Sequence, residues 1–142
     1  MELQSLPCYC ASLRQAARAV TSLYESVLAG TGLHATQFTA LQVLDRVPQL
    51  TTTEIGEVIG IDQTTATRTL SLIKKAGLAI DSSAGDDRRR RRWVLTPLGV
   101  QQLKKLLPRW EAAQQEFETR LGKPQALALK KASFHAATRL GS

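Results

Sequence analysis

Cysteine is scarce in this sequence: Cys8 and Cys10 are the only two in 142 residues, and they stand together as Cys-Tyr-Cys. No apolar stretch comes near the roughly 20 residues a bilayer-spanning helix needs, which excludes an integral helical membrane protein. The opening MELQSLPCYCASLRQ lacks a basic start and a long apolar core, so it does not read as a signal peptide. Cytoplasmic residence is therefore expected. Thiols stay reduced there, and a cysteine pair is more often reactive or metal-binding than a structural staple. Histidine is limited to His34 and His135, neither with ligand spacing around it; each reads as a satisfied or solvent-exposed residue. There is no Ser/His/Asp set, no paired carboxylates and no phosphate-cradling loop, so the chain is not expected to be an enzyme. Internal repeats are absent, and low complexity is confined to one arginine run.

Positive charge is also missing from part of the chain. Residues 1–61 carry three Lys/Arg against five Asp/Glu. Residues 62–92 carry eight against four, and residues 93–142 eight against three, for a total of +7. The densest point is Arg88, Arg89, Arg90, Arg91 and Arg92 in succession. The balance of 43% apolar and 22% charged residues is that of an ordinary globular protein, and the length fits one domain. The charge alone leaves nucleic acid, an anionic membrane surface and acidic proteins open as partners.

Helical periodicity begins near Cys10, with Leu13, Ala17, Val20, Tyr24, Val27 and Leu28 at three- and four-residue steps. Gly30 and Gly32 stop it. Thr36 reads as the cap of a second helix, with Phe38, Leu41, Leu44 and Val47 on its apolar side and Pro48 as its end. Thr51 and Glu54 have the spacing of a capping box. The short helix after them is expected to bury Ile55, Val58 and Ile59 and to stop at Gly60. Asp62 is a suitable N-cap for a helix from Gln63 to Ala76, closed by Gly77. Its inward residues are Ala66, Leu70 and Ile73. Its other face carries Gln63, Thr64, Thr67, Arg68, Ser71, Lys74 and Lys75.

Two short helices around a tight glycine turn, the second hydroxyl-rich and basic outside, form a helix-turn-helix pattern. Leu78–Ile80 and Arg91–Leu95 read as strands around the turn residues 82–87, and such a hairpin is a wing. Thr96-Pro97 starts a long helix with Leu103, Leu106, Leu107, Trp110, Ala113, Phe117 and Leu121 inward and a kink expected at Pro108. Gly122-Lys123-Pro124 separates it from a last helix to about Arg139, with Leu127, Phe134 and Leu140 apolar.

FTALQVL, TTTEIGEVIGIDQTTATRTLSLIKKAGL, DDRRRRRWVLTPLG and LLPRWEAAQQEF, in this order and spacing, resemble the MarR family of transcriptional regulators. The resemblance implies a mainly α fold over the single domain 1–142. A winged helix-turn-helix lobe would occupy residues 36–96, and dimerisation helices residues 1–30 and 97–142. It further implies a homodimer on a palindromic double-stranded DNA operator, usually a repressor released by an effector. In the family's wing pattern, Asp87 would brace Arg89 or its neighbour, and Arg88, Arg89 and Arg90 would supply the contact to a narrow minor groove.

The residues support this independently. Gln63, Thr64, Thr67, Arg68 and Ser71 are of the types that reach base edges in the major groove. Lys74 and Lys75, nearer the helix end, suit phosphates. Of Arg91 and Arg92, one is expected to face phosphate and the other to pack along the sheet. Leu3, Leu6, Tyr24, Trp110, Phe117, Leu127 and Phe134 are candidates for a dimer seam. With the arginine run on a wing, the membrane reading recedes.

DNA binding needs no cofactor on this reading. Cys8 and Cys10 admit three interpretations: small apolar residues at the seam, a redox or electrophile sensor, or chelation of a soft ion. Spacing favours chelation, because a disulfide between residues two apart closes a cramped ring. Arsenic(III) or antimony(III) would take a third sulfur from a second protomer; zinc or copper would also suit. A repressor released by a small aromatic ligand is the same-fold alternative. A small thiol enzyme or metal carrier is the alternative of a different class.

Overall fold

The computed structural model describes residues 2–82 and 90–141. Among the described residues, six helices and three short strands follow one another as α1 (Tyr9–Leu28), α2 (Ala35–Arg46), β1 (Leu50–Thr51), α3 (Thr52–Ile59), α4 (Gln63–Lys75), β2 (Ala79–Asp81), β3 (Arg92–Leu95), α5 (Pro97–Leu121) and α6 (Lys123–Leu140). The fold is mainly helical with a small antiparallel sheet ordered β1-β3-β2. No described helix is long and apolar enough to cross a membrane. The chain divides into two compact units, residues 28–107 and residues 1–27 with 108–142. The division falls at Pro108, through which α5 continues unbroken.

The unit of residues 28–107 has its core where the periodicity places it. Phe38, Leu41 and Leu44 of α2, Ile55 of α3, and Ala66, Leu70 and Ile73 of α4 are all buried, joined by Trp93 from β3 and Leu103 and Leu106 from α5. Burying such a side chain is worth about 1.5–3 kcal/mol, so the apolar stripes of α2 and α4 suffice to fix their facing sides. Thr51 caps α3 as its spacing requires: its hydroxyl accepts from Glu54 N at 3.2 Å, and its own N–H donates to Glu54 Oε2 at 2.7 Å. Gly60 ends α3 at φ 82°, a left-handed conformation that costs a residue with a Cβ about 1–2 kcal/mol. That turn brings α4 back against α3.

Several local expectations are corrected. The cap of α2 is His34, not Thr36, because the Gln37 side chain three residues on accepts the His34 N–H at 3.0 Å. Val47 is exposed at the end of α2. Val58 is 63% exposed. The inward arc of α3 runs through buried Ile55 and Gly56 and half-buried Ile59, and at 100° per residue Val58 lies about 110° from its centre. Helix α4 ends at Lys75 with Ala76 as its cap, β2 starts one residue later than the pattern suggests, and Arg91 precedes β3. Strand β1 has no counterpart in the sequence pattern, since two residues show no alternation. Its pairing, Leu50 with Trp93 and Thr51 with Arg92, is extended by Gln49, whose N–H donates to the Trp93 carbonyl at 2.9 Å.

In the other unit, Ala113 and Ala126 are buried, and the Tyr24 hydroxyl donates to Gln114 Oε1. Burial, followed by the nearby Glu118 charge, raises the Tyr24 phenol above its ordinary value. Arg109 donates to the Val27 carbonyl at 3.1 Å. Apolar side chains nevertheless remain in solvent: Leu3, Leu6, Tyr9, Leu13, Leu127, Phe134 and Leu140 are all exposed, Phe134 by 72%.

Candidate nucleic-acid interface

The start of α4 is fixed by Asp62. Its Oδ1 accepts from Thr65 N at 2.8 Å and its Oδ2 from the Thr65 hydroxyl at 2.9 Å. With that end anchored, and Ala66, Leu70 and Ile73 buried, the opposite face is set. Gln63, Thr64, Thr67, Arg68, Ser71, Lys74 and Lys75 are all exposed. The Thr53 hydroxyl of α3 donates to Gln63 Oε1 at 3.2 Å, which steadies the first side chain of the row. Thr67 donates its hydroxyl proton to the Gln63 carbonyl at 2.9 Å, leaving its methyl and lone pairs for other partners. Gln63, Thr67, Ser71 and Lys74 of α4 line a groove of about 440 Å³ together with Asp81, Arg91 and Trp93.

The base of the hairpin is held by polar contacts from three directions. Asp81, paired across from Trp93, accepts Lys74 Nζ at 2.7 Å on one oxygen and Arg91 Nη1 at 3.2 Å on the other. Arg92 Nη1 donates to the Gln49 carbonyl at 2.9 Å, and its backbone N–H to the Ser82 hydroxyl at 3.1 Å. Gln49 takes a positive φ of 67°, and this contact and its bond to Trp93 hold both its backbone groups. The Trp93 indole donates to the Thr52 hydroxyl at 3.0 Å.

Three carboxylates of this unit are held below their ordinary values. For Glu54 and Asp62 the main cause is the hydrogen bond from a capped backbone N–H, and for Asp81 it is the Lys74 ammonium. A folded-state value below the unfolded one adds stability that is complete above the unfolded value and lost as pH falls through the folded one. Melting temperature should therefore hold above about pH 5 and drop below the ordinary values of 4.5 for Glu and 3.8 for Asp. Thermal melts between about pH 2.5 and 7 check this. A Glu54→Gln/Asp62→Asn variant should lose part of the acid-dependent drop, and an unchanged drop would contradict the assignment.

Residues 31–90 match the MarR family. The structure superposes on the M. tuberculosis transcriptional regulator MosR with a TM-score of 0.79 and 30% identity, covering 94% of this chain and 96% of that one. The chain belongs to the MarR family. MosR in complex with DNA is 32% identical, with a TM-score of 0.72 and coverage of 94% of this chain and 99% of that one. The repressor CouR, bound to a 23-mer DNA duplex, shares the fold at 23% identity, a TM-score of 0.79, and coverage of 96% and 99%. Comparison with curated proteins gives no match.

For a MarR-family winged-helix regulator, α3 and α4 are the helix-turn-helix and β2 and β3 the base of the wing. The row from Gln63 to Lys75 lies together on one exposed face. The two lysines at its end differ. Lys74 is committed to Asp81, whereas Lys75, like Arg68, has no ion pair among the described residues. Arg91 and Arg92 both serve the base of the wing, one through Asp81 and one through Gln49. Arg90 is exposed, and Asp87, Arg88 and Arg89 lie outside the described residues. Sequence reasoning misses Asp81. The available signal is an acidic residue at the end of the segment that reads as the outgoing strand, followed in the sequence by turn residues and a run of arginines.

Cys8 immediately precedes α1 and Cys10 lies in its first turn, and both are exposed. Arg14 Nη2 donates to Cys10 Sγ at 3.4 Å. Among the described residues no three His, Cys, Asp or Glu side chains form a group able to hold a metal ion.

Proposed function

We propose that this MarR-family regulator is a homodimeric repressor that binds a palindromic double-stranded DNA operator. Soft metal or metalloid ions at Cys8 and Cys10 lower its affinity. The observation that carries the DNA reading is the α4 face: hydroxyls, an amide and a guanidinium without an ion pair among the described residues stand exposed in a row on a helix whose other side is packed into the core. Side chains of that kind read bases in the major groove, and the arginines of the wing add charge for phosphate or the minor groove. MosR and CouR, both captured on DNA, support it.

The exposed apolar residues of α1, α6 and the segment before α1 support the homodimer. A two-fold axis would place two copies of α4 about 34 Å apart, one turn of DNA. With roughly eight phosphates neutralised per dimer, the log–log salt slope is near −7.

Exposure of both thiols, two residues apart in the sequence, supports the effector reading, because a soft ion in solution can reach either sulfur. One chain offers two sulfurs, so arsenic(III) or antimony(III) takes its third from the second protomer. Cytoplasmic residence, where these thiols stay reduced, is part of the reading.

The test is DNA binding by wild type, Cys8→Ser and Cys10→Ser on a duplex selected by the wild type. Each protein is titrated with arsenite, antimonite, zinc, copper(I) and peroxide. Release of the wild type alone by an ion is the expected result. Release by peroxide alone transfers the same cysteines to oxidant sensing, and identical responses in all three proteins remove them from the mechanism.

A further inference from the structure

The groove beside α4 has a carboxylate in its wall, on the surface that faces a polyanion in the DNA-binding reading. The Asp81 side chain is only 7% exposed, and each of its oxygens takes one cation, Lys74 from the last turn of α4 and Arg91 from the entry to β3. The Nε of Arg91 is buried and makes no hydrogen bond among the described residues, and Asp81 is the carboxylate among them that holds this guanidinium. Lys74 is half exposed and continues the row Gln63, Thr67, Ser71 at helical steps, on the border of the same groove. An unrestrained lysine there would attract any phosphate, whatever the sequence. Arg68 and Lys75 on the same helix have no ion pair among the described residues, so on this helix the restraint is specific to Lys74.

We propose that Asp81 is a specificity-determining residue, which withholds Lys74 and Arg91 from DNA phosphates and leaves discrimination to Gln63, Thr67, Arg68 and Ser71. The inference rests on the DNA-binding reading. A carboxylate serves this purpose better than a neutral acceptor. It cancels one of the two positive charges and fixes the direction of both donors, which keeps α4, β2 and the start of β3 in one register. The Lys74 hydrogen bond also holds the Asp81 carboxyl below its ordinary value, so the restraint stays in place at neutral pH.

The experiment compares wild type, Asp81→Asn, Lys74→Gln and the double variant on two duplexes between about 50 and 300 mM KCl, by fluorescence anisotropy. One duplex is selected from a random pool by the wild type, and the other is its scrambled version. Asp81→Asn should bind the scrambled duplex about tenfold more tightly, with a salt slope steeper by about 1–2 per protomer, at about 0.9 for each phosphate engaged. On the selected duplex, where the base contacts of Gln63, Thr67, Arg68 and Ser71 already fix the register of α4, the gain should be smaller, so the preference for that duplex should fall; an equal gain on both duplexes would overturn the role in specificity. Lys74→Gln alone should leave the slope on scrambled DNA unchanged, and the double variant should lose most of the extra slope.

A slope flattened by about one per protomer in Lys74→Gln would overturn the proposal, because Lys74 would already be neutralising a phosphate. Equal weakening of Asp81→Asn on both duplexes at the wild-type slope would reduce Asp81 to a structural part, and an unchanged slope and preference would give it no part at all. Should circular dichroism show Asp81→Asn unfolded, Lys74→Gln still decides. Wild-type binding with any of these overturning results sinks this inference alone. Absence of wild-type binding to any duplex sinks the DNA-binding reading and this inference with it.

Discussion

Gly99→Ala is expected to cost about 3–5 kcal/mol, summing a backbone overlap of about 1–3 kcal/mol with hydrogen bonds worth about 1 kcal/mol each. A Cβ at Gly99 would fall onto the carbonyl oxygen of Leu78, with the carbonyl carbon at 2.9 Å and the Leu78 Cα at 3.3 Å. Backbone cannot rotate aside as a side chain does, so the strand or the helix has to move. Both are pinned at this point. The Leu78 carbonyl accepts the Thr96 N–H at 3.1 Å, and the Leu78 N–H donates to the Ile73 carbonyl at 2.9 Å. The Thr96 hydroxyl donates to the Gly77 carbonyl at 2.6 Å and accepts the Gly99 N–H at 3.0 Å. One methyl group thus disturbs the end of α4, the entry to β2 and the first turn of α5 together. Against a total stability of about 5–15 kcal/mol for a small protein, that is a large share. Urea denaturation followed by circular dichroism measures it. Thr96→Val should lose only about 1–2 kcal/mol, the worth of the hydroxyl's bonds. A Gly99→Ala protein within about 1 kcal/mol of wild type would show that the junction has room the geometry denies.

The same junction shows what a sequence discloses. Thr96-Pro97 announces a helix start because its signals act within one turn, on the chain's own N–H groups. The Thr51–Glu54 box and the Asp62 cap are legible for the same reason, and both form as spaced. The need for glycine at position 99 arises from Leu78, 21 positions earlier in the sequence, which no local pattern reveals. Asp81 belongs with it: its partners lie on α4 and ahead of β3, and only the fold brings them to one carboxylate. Periodicity places Ile55, Ala66, Leu70 and Ile73 in the core but misplaces Val58. In a helix as short as α3, a three-residue step and a four-residue step diverge enough that only one stays inside. The outward row of α4 is legible as the complement of a buried stripe. The differing states of Lys74 and Lys75 are not, since the two are equivalent until β2 is in place.

Arg68→Ala is expected to weaken binding to the selected duplex about 10- to 100-fold, since a bidentate contact to a base discriminates by about 1–3 kcal/mol. On scrambled DNA the loss should be only a few-fold. Arg68 follows Thr64 by four residues and precedes Ser71 by three, on the N-terminal half of α4, the part of a recognition helix that meets base edges. No carboxylate restrains its guanidinium among the described residues, and its fork of donors matches the O6 and N7 of guanine. Lys75 is the last residue of α4 and carries a point charge that any phosphate satisfies equally. Lys75→Ala should therefore weaken both duplexes by the same factor and flatten the salt slope by about 0.9 for each phosphate no longer neutralised. The two variants together separate reading from attraction on one helix. Equal losses on selected and scrambled DNA for Arg68→Ala would assign Arg68 to phosphate, and Gln63, Thr64, Thr67 and Ser71 would then have to read the sequence alone.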